Sequence, residues 1–398
     1  MGAKPTVSGD LEAERRRLFA GALDVLAEKL LRDERELGME FPYVTAPDGK
    51  WRTLPAGLSG GYGPEGWSHG NWFCGFWVGL LLIAYLHTHD DRFRALALDR
   101  LRLVAPRADD PRTHDIGFIF QASAVPAARI TGENWCRALG LRAAERLRRR
   151  TVNSRNGAYI PAWGALEDPR GRRSSAIDTM ANLELLLWAA EETGDGSFRL
   201  VAQAHANTTR RSFVRADFST WHAVEYALPD GTPERRFTFQ GYSDDSCWSR
   251  GQAWAMRGFA AVAAASGWEE DAELAQALSD YFLRRLPPDH IPYWDFDDPA
   301  IPGAPRDSSA AAIAAGALLT LAGMYADTET AQRYRASALA LLETLCREYL
   351  AGHDHRGLLL HACYSLPHRE GIDSATLFGD FYFAEALARV LTPGSFCP

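Results

Sequence analysis

Apolar positions fall along this chain in two alternating kinds of helical stretch. Six stretches, 72–86, 118–130, 179–193, 251–265, 310–325 and 375–391, are apolar on nearly every face and rich in Ala, Gly, Leu and aromatics. Five of them run into short polar turns at 87–91, 131–133, 193–195, 266–269 and 326–328, and each turn opens a stretch whose Leu, Ala and Arg recur at helical period with charge on one side. With an opening stretch at 11–32, these make a second set: 92–104, 134–150, 197–211, 271–285 and 329–349. A helix apolar all round must be buried, and one with a charged face must border water. The alternation predicts six inner helices wrapped by six outer ones, an all-α (α/α)6 toroid, with residues 1–398 as a single domain.

The connections are unequal. Turns leaving the inner helices are short, whereas the segments leading into them, 34–71, 105–117, 151–178, 212–250, 286–309 and 351–374, are long and loaded with aromatic, acidic, Gly and Pro residues. Long loops in a compact fold usually carry function, and loops that all precede the same kind of helix open on one face. The expected site is therefore the mouth of the inner ring. Within 212–250, Trp221 to Tyr226 and Arg236 to Phe239 flank Pro229-Asp-Gly231, the pattern of a small hairpin or lid.

Composition narrows the function classes. The 398 residues are 46% hydrophobic and 24% charged, which marks a folded soluble chain and not a disordered one. Forty-three basic against 51 acidic residues leave a net charge of −8, which repels a phosphate backbone, and the Arg-rich run at 142–150 reads as the wet face of an outer helix. Nucleic acid is not an expected partner. The longest apolar run, 73–85, is too short to cross a bilayer and the first residues hold no apolar leader, so no membrane association is expected and the expected location is the cytoplasm. Gly2 to Thr6 fits a loose myristoylation pattern that nothing else supports. Six cysteines are scattered without a CxxC pair and no phosphate-binding glycine loop follows a strand, so neither metal, redox motif nor nucleotide is expected. Gly57-Leu-Ser-Gly-Gly61 spells G-x-S-x-G but lacks the flanking strand and helix of a serine nucleophile.

The starts of the inner helices carry aromatic and acidic motifs instead: Asn71-Trp72, His114-Asp115-Ile-Gly-Phe118, Ile177-Asp178-Thr179, the run from Gly241 to Trp254, and Asp307-Ser-Ser309. Aromatic faces stack on sugar rings, and carboxylate, Arg, Gln and His side chains bond hydroxyls, so the mixture suits a carbohydrate. Each aspartate also stands where a helix N-cap belongs, which is the ordinary role of such a residue.

The motifs HDIGF, IDTMANL, DDSCWSRGQAWAMRGF, DSSAAAIAA and the closing FGDFYFAEAL resemble, in order and spacing, the unsaturated glucuronyl hydrolases of glycoside hydrolase family 88 over roughly residues 68 to 391. The resemblance implies the same toroid and a glycosidase that hydrates the C4=C5 double bond of an unsaturated glucuronyl residue at the non-reducing end of a lyase-generated oligosaccharide, with no metal or other cofactor. It implies Asp178 as general acid/base with Asp115 as its neighbouring carboxylate. It further implies Trp72, Phe118 and Trp163 as platforms for the sugar rings, and His114, His222, Gln240, Arg250 and Trp254 as the rest of the lining, with Arg250 suited to grip a uronate bidentately. Asp307 is expected to remain a helix cap.

An acid working near neutral pH needs a raised pKa; a second carboxylate and apolar walls push it up, and a helix N-terminus pushes it down. Members acting on sulfated fragments tend to carry Ser-x-x-Ser-x-Lys near the last loop, where this chain reads Ser365-Leu-Pro-His368-Arg369-Glu370; the lysine is missing, Arg369 could replace it, and Glu370 beside it argues against sulfate recognition. Three other functions fit the same toroid: action on an unsaturated sugar of a small metabolite, sugar epimerisation, which would rely on paired histidines where this chain has aspartates, and sugar binding without catalysis.

Overall fold

The computed structural model describes residues 7–57, 70–325, 328–394 and 396. The Gly2 to Thr6 pattern, the G-x-S-x-G motif beyond Gly57, the first two residues of the fifth polar turn and Cys397 lie outside the described residues. The chain begins with α1 (Val7–Leu37), β1 (Glu40–Thr45), β2 (Trp51–Pro55), α2 (Cys74–Thr88), α3 (Asp91–Val104), α4 (Ile116–Gln121), α5 (Ala124–Thr131) and α6 (Asn134–Arg149). It continues with β3 (Val152–Ser154), β4 (Gly157–Tyr159), β5 (Ser174–Ala176), α7 (Thr179–Asn182), α8 (Glu184–Thr193), α9 (Gly196–Phe213), β6 (Ala223–Ala227) and β7 (Thr232–Phe237). The last part comprises α10 (Ser249–Ser266), α11 (Glu269–Arg285), α12 (Ser308–Met324), α13 (Glu329–Thr344), β8 (Ala362–Ser365), β9 (Glu370–Ser374) and α14 (Leu377–Leu391).

Around the axis, α2, α4 with α5, α7 with α8, α10, α12 and α14 touch in that order, and α14 closes back onto α2. The outer helices α1, α3, α6, α9, α11 and α13 back this ring, which completes the (α/α)6 toroid. Burial follows the residue pattern. Ser308 through Leu318 of α12 are buried without interruption, whereas α6 buries Cys136, Leu139, Gly140, Ala143, Ala144 and Leu147 at helical spacing and ends on arginines. Two inner elements that read as continuous in the sequence are broken. Pro126 has no N–H for the Ala122 carbonyl and its ring would crowd that turn, so α5 starts afresh after Ser123. The other break, at Leu183, separates α7 from α8.

The described strands all lie in the long segments that lead into inner helices, as the antiparallel pairs β1–β2, β3–β4 and β8–β9 and the three-stranded sheet β5–β6–β7. The 212–250 segment contributes β6 and β7, and β6 also pairs with β5 in the segment that ends at Asp178.

Farther down the axis, Arg257 of α10 lies between Glu184 of α8 and Glu385 of α14. Its Nη1 donates to Glu385 Oε2 at 2.8 Å and its Nη2 to Glu184 Oε2 at 3.0 Å, and all three side chains are buried. A cavity of about 1100 Å³ opens at the far end of the ring, between the C-terminal ends of α10 and α12, and reaches Glu184 and Arg257.

The inner helices approach one another closely. A Cβ on Gly75 of α2 would stand 2.1 Å from the Ile119 carbonyl oxygen, and one on Gly258 of α10 would stand 2.3 Å from the Met180 backbone. Gly75→Ala is expected to lower stability by about 1–3 kcal/mol through overpacking, read as a lower urea midpoint. Gly21→Ala on α1, where an added methyl meets nothing within 4 Å, is expected to raise it by about 0.5–1 kcal/mol.

Candidate active site

Every inner helix is entered from a long segment, so the helix starts converge on one mouth. Asp115 stands at the N-cap of α4, Asp178 at that of α7 and Asp307 at that of α12. Only Asp307 of these three caps with its carboxylate, accepting from the Ser309 N–H at 3.2 Å; the side chains of Asp115 and Asp178 make no cap bond.

Asn182 couples the starts of α4 and α7. Its Oδ1 accepts the Phe118 N–H at 2.6 Å, and its Nδ2 donates to the Asp178 carbonyl at 3.1 Å. Gly117 permits the approach, since a Cβ there would lie 2.5 Å from Asn182. On the other side, β5 pairs with β6 so that Ala176 faces Ala223, and the ladder runs on to an Ile177 N–H donated to the His222 carbonyl at 2.9 Å. This register sets His222 beside Asp178.

The Asp178 side chain is 17% exposed, and its Oδ2 lies 3.8 Å from His222 Nε2. His114 Nε2 is 3.2 Å from Asp115 Oδ1, and its Nδ1 is 2.6 Å from the hydroxyl of Thr179, the residue after Asp178. Thr113 donates its hydroxyl to Asp115 Oδ2 at 2.8 Å. Burial lifts the Asp178 pKa from 3.8 to about 6. Asp115 adds to the lift, while His114, the Asp178 backbone N–H and Arg250 oppose it. His222 moves the other way: burial, aided by the Arg250 charge, holds it well below the usual 6.5, so the ring is neutral. Its imidazole stacks on Trp248, with ring centroids 4.3 Å apart, and lies 4.0 Å from Phe239.

The remaining expected residues divide. Trp163 is only partly buried and meets Phe239 edge-on at 5.2 Å, so it forms an accessible wall. Trp72, Phe118 and Trp254 are buried in a packed aromatic floor in which Trp72 stacks on Phe378 at 5.3 Å and Phe118 lies 4.8 Å from Trp254. Gln240 donates to the Tyr364 carbonyl at 3.0 Å. Arg250, 1% exposed, differs from the expected end-on clamp. Its Nη1 is paired with Asp307 and donates to the Cys363 carbonyl at 2.7 Å, and its Nη2 donates to the Tyr364 carbonyl. The end of the fork is therefore engaged with the protein and braces β8 against the start of α12.

Sequence reading missed the Arg250–Asp307 pair and the hydroxyls of Thr113, Thr179 and Thr238. An aspartate or threonine before an apolar helix reads as a cap, and nothing in the local pattern names a partner far away in the chain. Among the described residues, no group of three His, Cys, Asp or Glu side chains is placed to hold a metal ion, and the five described cysteines are buried and unpaired.

An (α/α)6 toroid with a carboxyl of raised pKa at its mouth is an arrangement that suits glycoside hydrolysis. No protein-family model matches it. It is 36% identical over 367 residues to the unsaturated glucuronyl hydrolase of Bacillus sp. strain GL1, covering 90% of this chain and 93% of that protein. It is 34% identical over 327 residues to the unsaturated chondroitin disaccharide hydrolase of Streptococcus pneumoniae, covering 80% and 81%. The solved structure of the Bacillus sp. GL1 unsaturated glucuronyl hydrolase matches with a TM-score of 0.83 at 32% identity over 96% of this chain and 98% of that one. The chain belongs to the unsaturated glucuronyl hydrolase family.

Two stability changes of opposite sign are expected. Asp307→Ala leaves the Arg250 charge buried without its partner and is expected to cost about 3–5 kcal/mol. The Asp178 pKa is higher folded than unfolded, about 6 against 3.8, so its ionisation costs stability in full above the folded value and not at all below the unfolded one. Asp178→Asn is accordingly expected to stabilise the protein by about 1–3 kcal/mol at pH 7, with the gain fading as pH falls toward 4. Urea unfolding at several pH values checks both.

Proposed function

We infer that the enzyme hydrates the C4=C5 bond of an unsaturated glucuronyl residue at the non-reducing end of a lyase-generated oligosaccharide, releasing the leaving sugar and a keto-uronic acid. The observation that carries this reading is the partly exposed Asp178 carboxyl, which burial keeps protonated up to about pH 6 at the mouth of the ring. A solved UGL variant carrying dGlcA-Glc-Rha-Glc matches this chain with a TM-score of 0.84 at 33% identity, over 94% of this chain and 97% of that one.

The C4=C5 bond is an enol ether. Asp178 gives its proton to C4, the π pair forms the new C–H bond, and positive charge appears at C5 and the ring oxygen. Water adds to C5 and returns a proton to the Asp178 carboxylate, which makes the residue acid and then base. The resulting hemiketal opens to a ketone at C5, and the hemiacetal left at C1 expels the hydroxyl of the leaving sugar. Asp115 helps to keep the proton on Asp178. Trp163 and Phe239 offer stacking faces and Gln240 an amide that bonds hydroxyls, while His114 and His222 stand beside the two aspartates. In this reading Arg250 acts through its charge and by bracing the last loop, and Trp72, Phe118 and Trp254 support the floor.

The reading takes the chain as one catalytic domain that works in the cytoplasm on a saccharide, without cofactor, nucleic acid or membrane. Among the described residues, no helix is long and apolar enough to cross a membrane. An unsulfated leaving sugar is favoured: Glu370 stands where the Ser-x-x-Ser-x-Lys pattern has its lysine, beside Arg369 and ion-paired with Arg52.

The purified protein, with chelator present, is expected to bleach the ultraviolet absorbance of an unsaturated uronyl disaccharide, and Asp178→Asn to slow this by about 100-fold or more. Because the protonated acid is the active form, kcat/KM is expected to fall as pH rises through about 6. Full activity in the variant, or a rate that climbs above that pH, would overturn the assignment.

A further inference from the structure

We propose that Thr238 is a positioning residue whose hydroxyl fixes the tautomer of His222, so that an Nε2–H and not a lone pair faces Asp178. The proposal rests on the reading of Asp178 as the acid. Thr238 Oγ1 lies 2.8 Å from His222 Nδ1 and accepts the Gly241 N–H at 2.7 Å. That amide can only donate, so it occupies a lone pair of the hydroxyl. Among the described residues, the hydroxyl proton then has one acceptor within reach, His222 Nδ1. A neutral imidazole that accepts at Nδ1 carries its hydrogen on Nε2.

The surroundings hold the ring in this state. Trp248 and Phe239 fix its plane, and burial beside Arg250 keeps it neutral. The charged and titratable groups near it are Asp178 from the start of α7 and Arg250 from α10. Beyond Asp178 stand His114 and Asp115 from the start of α4, and behind Thr238 is Asp244, which accepts the Thr238 N–H at 2.9 Å. His222 Nε2 is buried, has no hydrogen-bond partner among the described residues, and stands 3.8 Å from Asp178 Oδ2. A buried donor left unpaired in the resting protein is costly unless another state uses it. That state is the Asp178 carboxylate formed as its proton leaves for C4. A bare Nε2 would do the opposite, accepting the Asp178 proton and holding it back.

The arrangement is repeated across the pocket. His114 rests its Nδ1 on the Thr179 hydroxyl and turns its Nε2 toward Asp115. Each aspartate thus meets the Nε2 edge of a histidine whose other edge is held by a threonine.

Thr238→Val keeps the side-chain shape and removes the hydroxyl. We expect kcat to fall roughly 10- to 100-fold, as for other partners that orient a working group, with a smaller change in KM. Without the Nε2–H, the Asp178 carboxylate loses a donor, so the fall in kcat/KM at rising pH is expected to move to higher pH, and Thr238→Ser is expected to restore both rate and profile. Nitrogen NMR of the 15N-histidine-labelled wild-type protein, with the His222 signal assigned by its loss in His222→Gln, is expected to show an Nε2-protonated ring. An Nδ1-protonated ring in the wild type overturns the proposal, as does a valine variant with the wild-type profile, or a pH-independent loss that serine does not repair. The NMR result depends neither on turnover nor on the folding of the valine variant. Failure of the acid assignment is seen separately, as activity retained in Asp178→Asn.

Discussion

The contact between two helix starts governs the site. Asn182 bonds the Phe118 N–H of α4 and the Asp178 carbonyl of α7, and Gly117 lets the backbones meet. This closeness brings Asp115 within the electrostatic reach of Asp178, buries Asp115 and leaves Asp178 only partly exposed. His114, the Asp178 backbone N–H and Arg250 favour the Asp178 carboxylate, yet removal from water outweighs them, and Asp115 is a lesser influence than burial or His114. The carboxyl therefore owes its proton chiefly to its surroundings and only secondarily to its acidic neighbour.

Arg250 and Asp307 show a second constraint of the same kind. A buried guanidinium and a buried carboxylate each cost a great deal alone and much less as a pair. Asp307 serves the start of α12 and Arg250 together, and the carbonyls of Cys363 and Tyr364 take the remaining end of the fork. The last hairpin, β8–β9, is thereby tied to the same point as α10 and α12. Positive charge remains near the acid without a mobile side chain at the mouth.

The ring of helices was legible because wholly apolar and one-sided helices differ in composition over a dozen or more residues, as α12 and α6 do. The break before α5 had a visible cause in Pro126. The break after Asn182 has no proline or glycine near it to announce it. Motif resemblance pointed to Asp115, Asp178, His114 and His222, and the structure brings these four side chains together. Resemblance did not say which tryptophans are accessible: Trp254 sits among apolar helix residues and is buried with them, whereas Trp163 in its loop is not. Hydroxyl partners such as Thr238 were invisible because their meaning depends on strand register. The pairing of β5 with β6 decides which histidine stands beside Asp178, and a shift of one residue would turn His222 away.

The buried cluster of Arg257, Glu184 and Glu385 also bears on traffic. It sits between the mouth of the ring, where Asp115 and Asp178 lie, and the cavity at the opposite end. The toroid is therefore a blind well and not a tunnel. A saccharide cannot be threaded through it, so only a chain terminus reaches the bottom, and whatever is detached there must back out through the doorway by which it came.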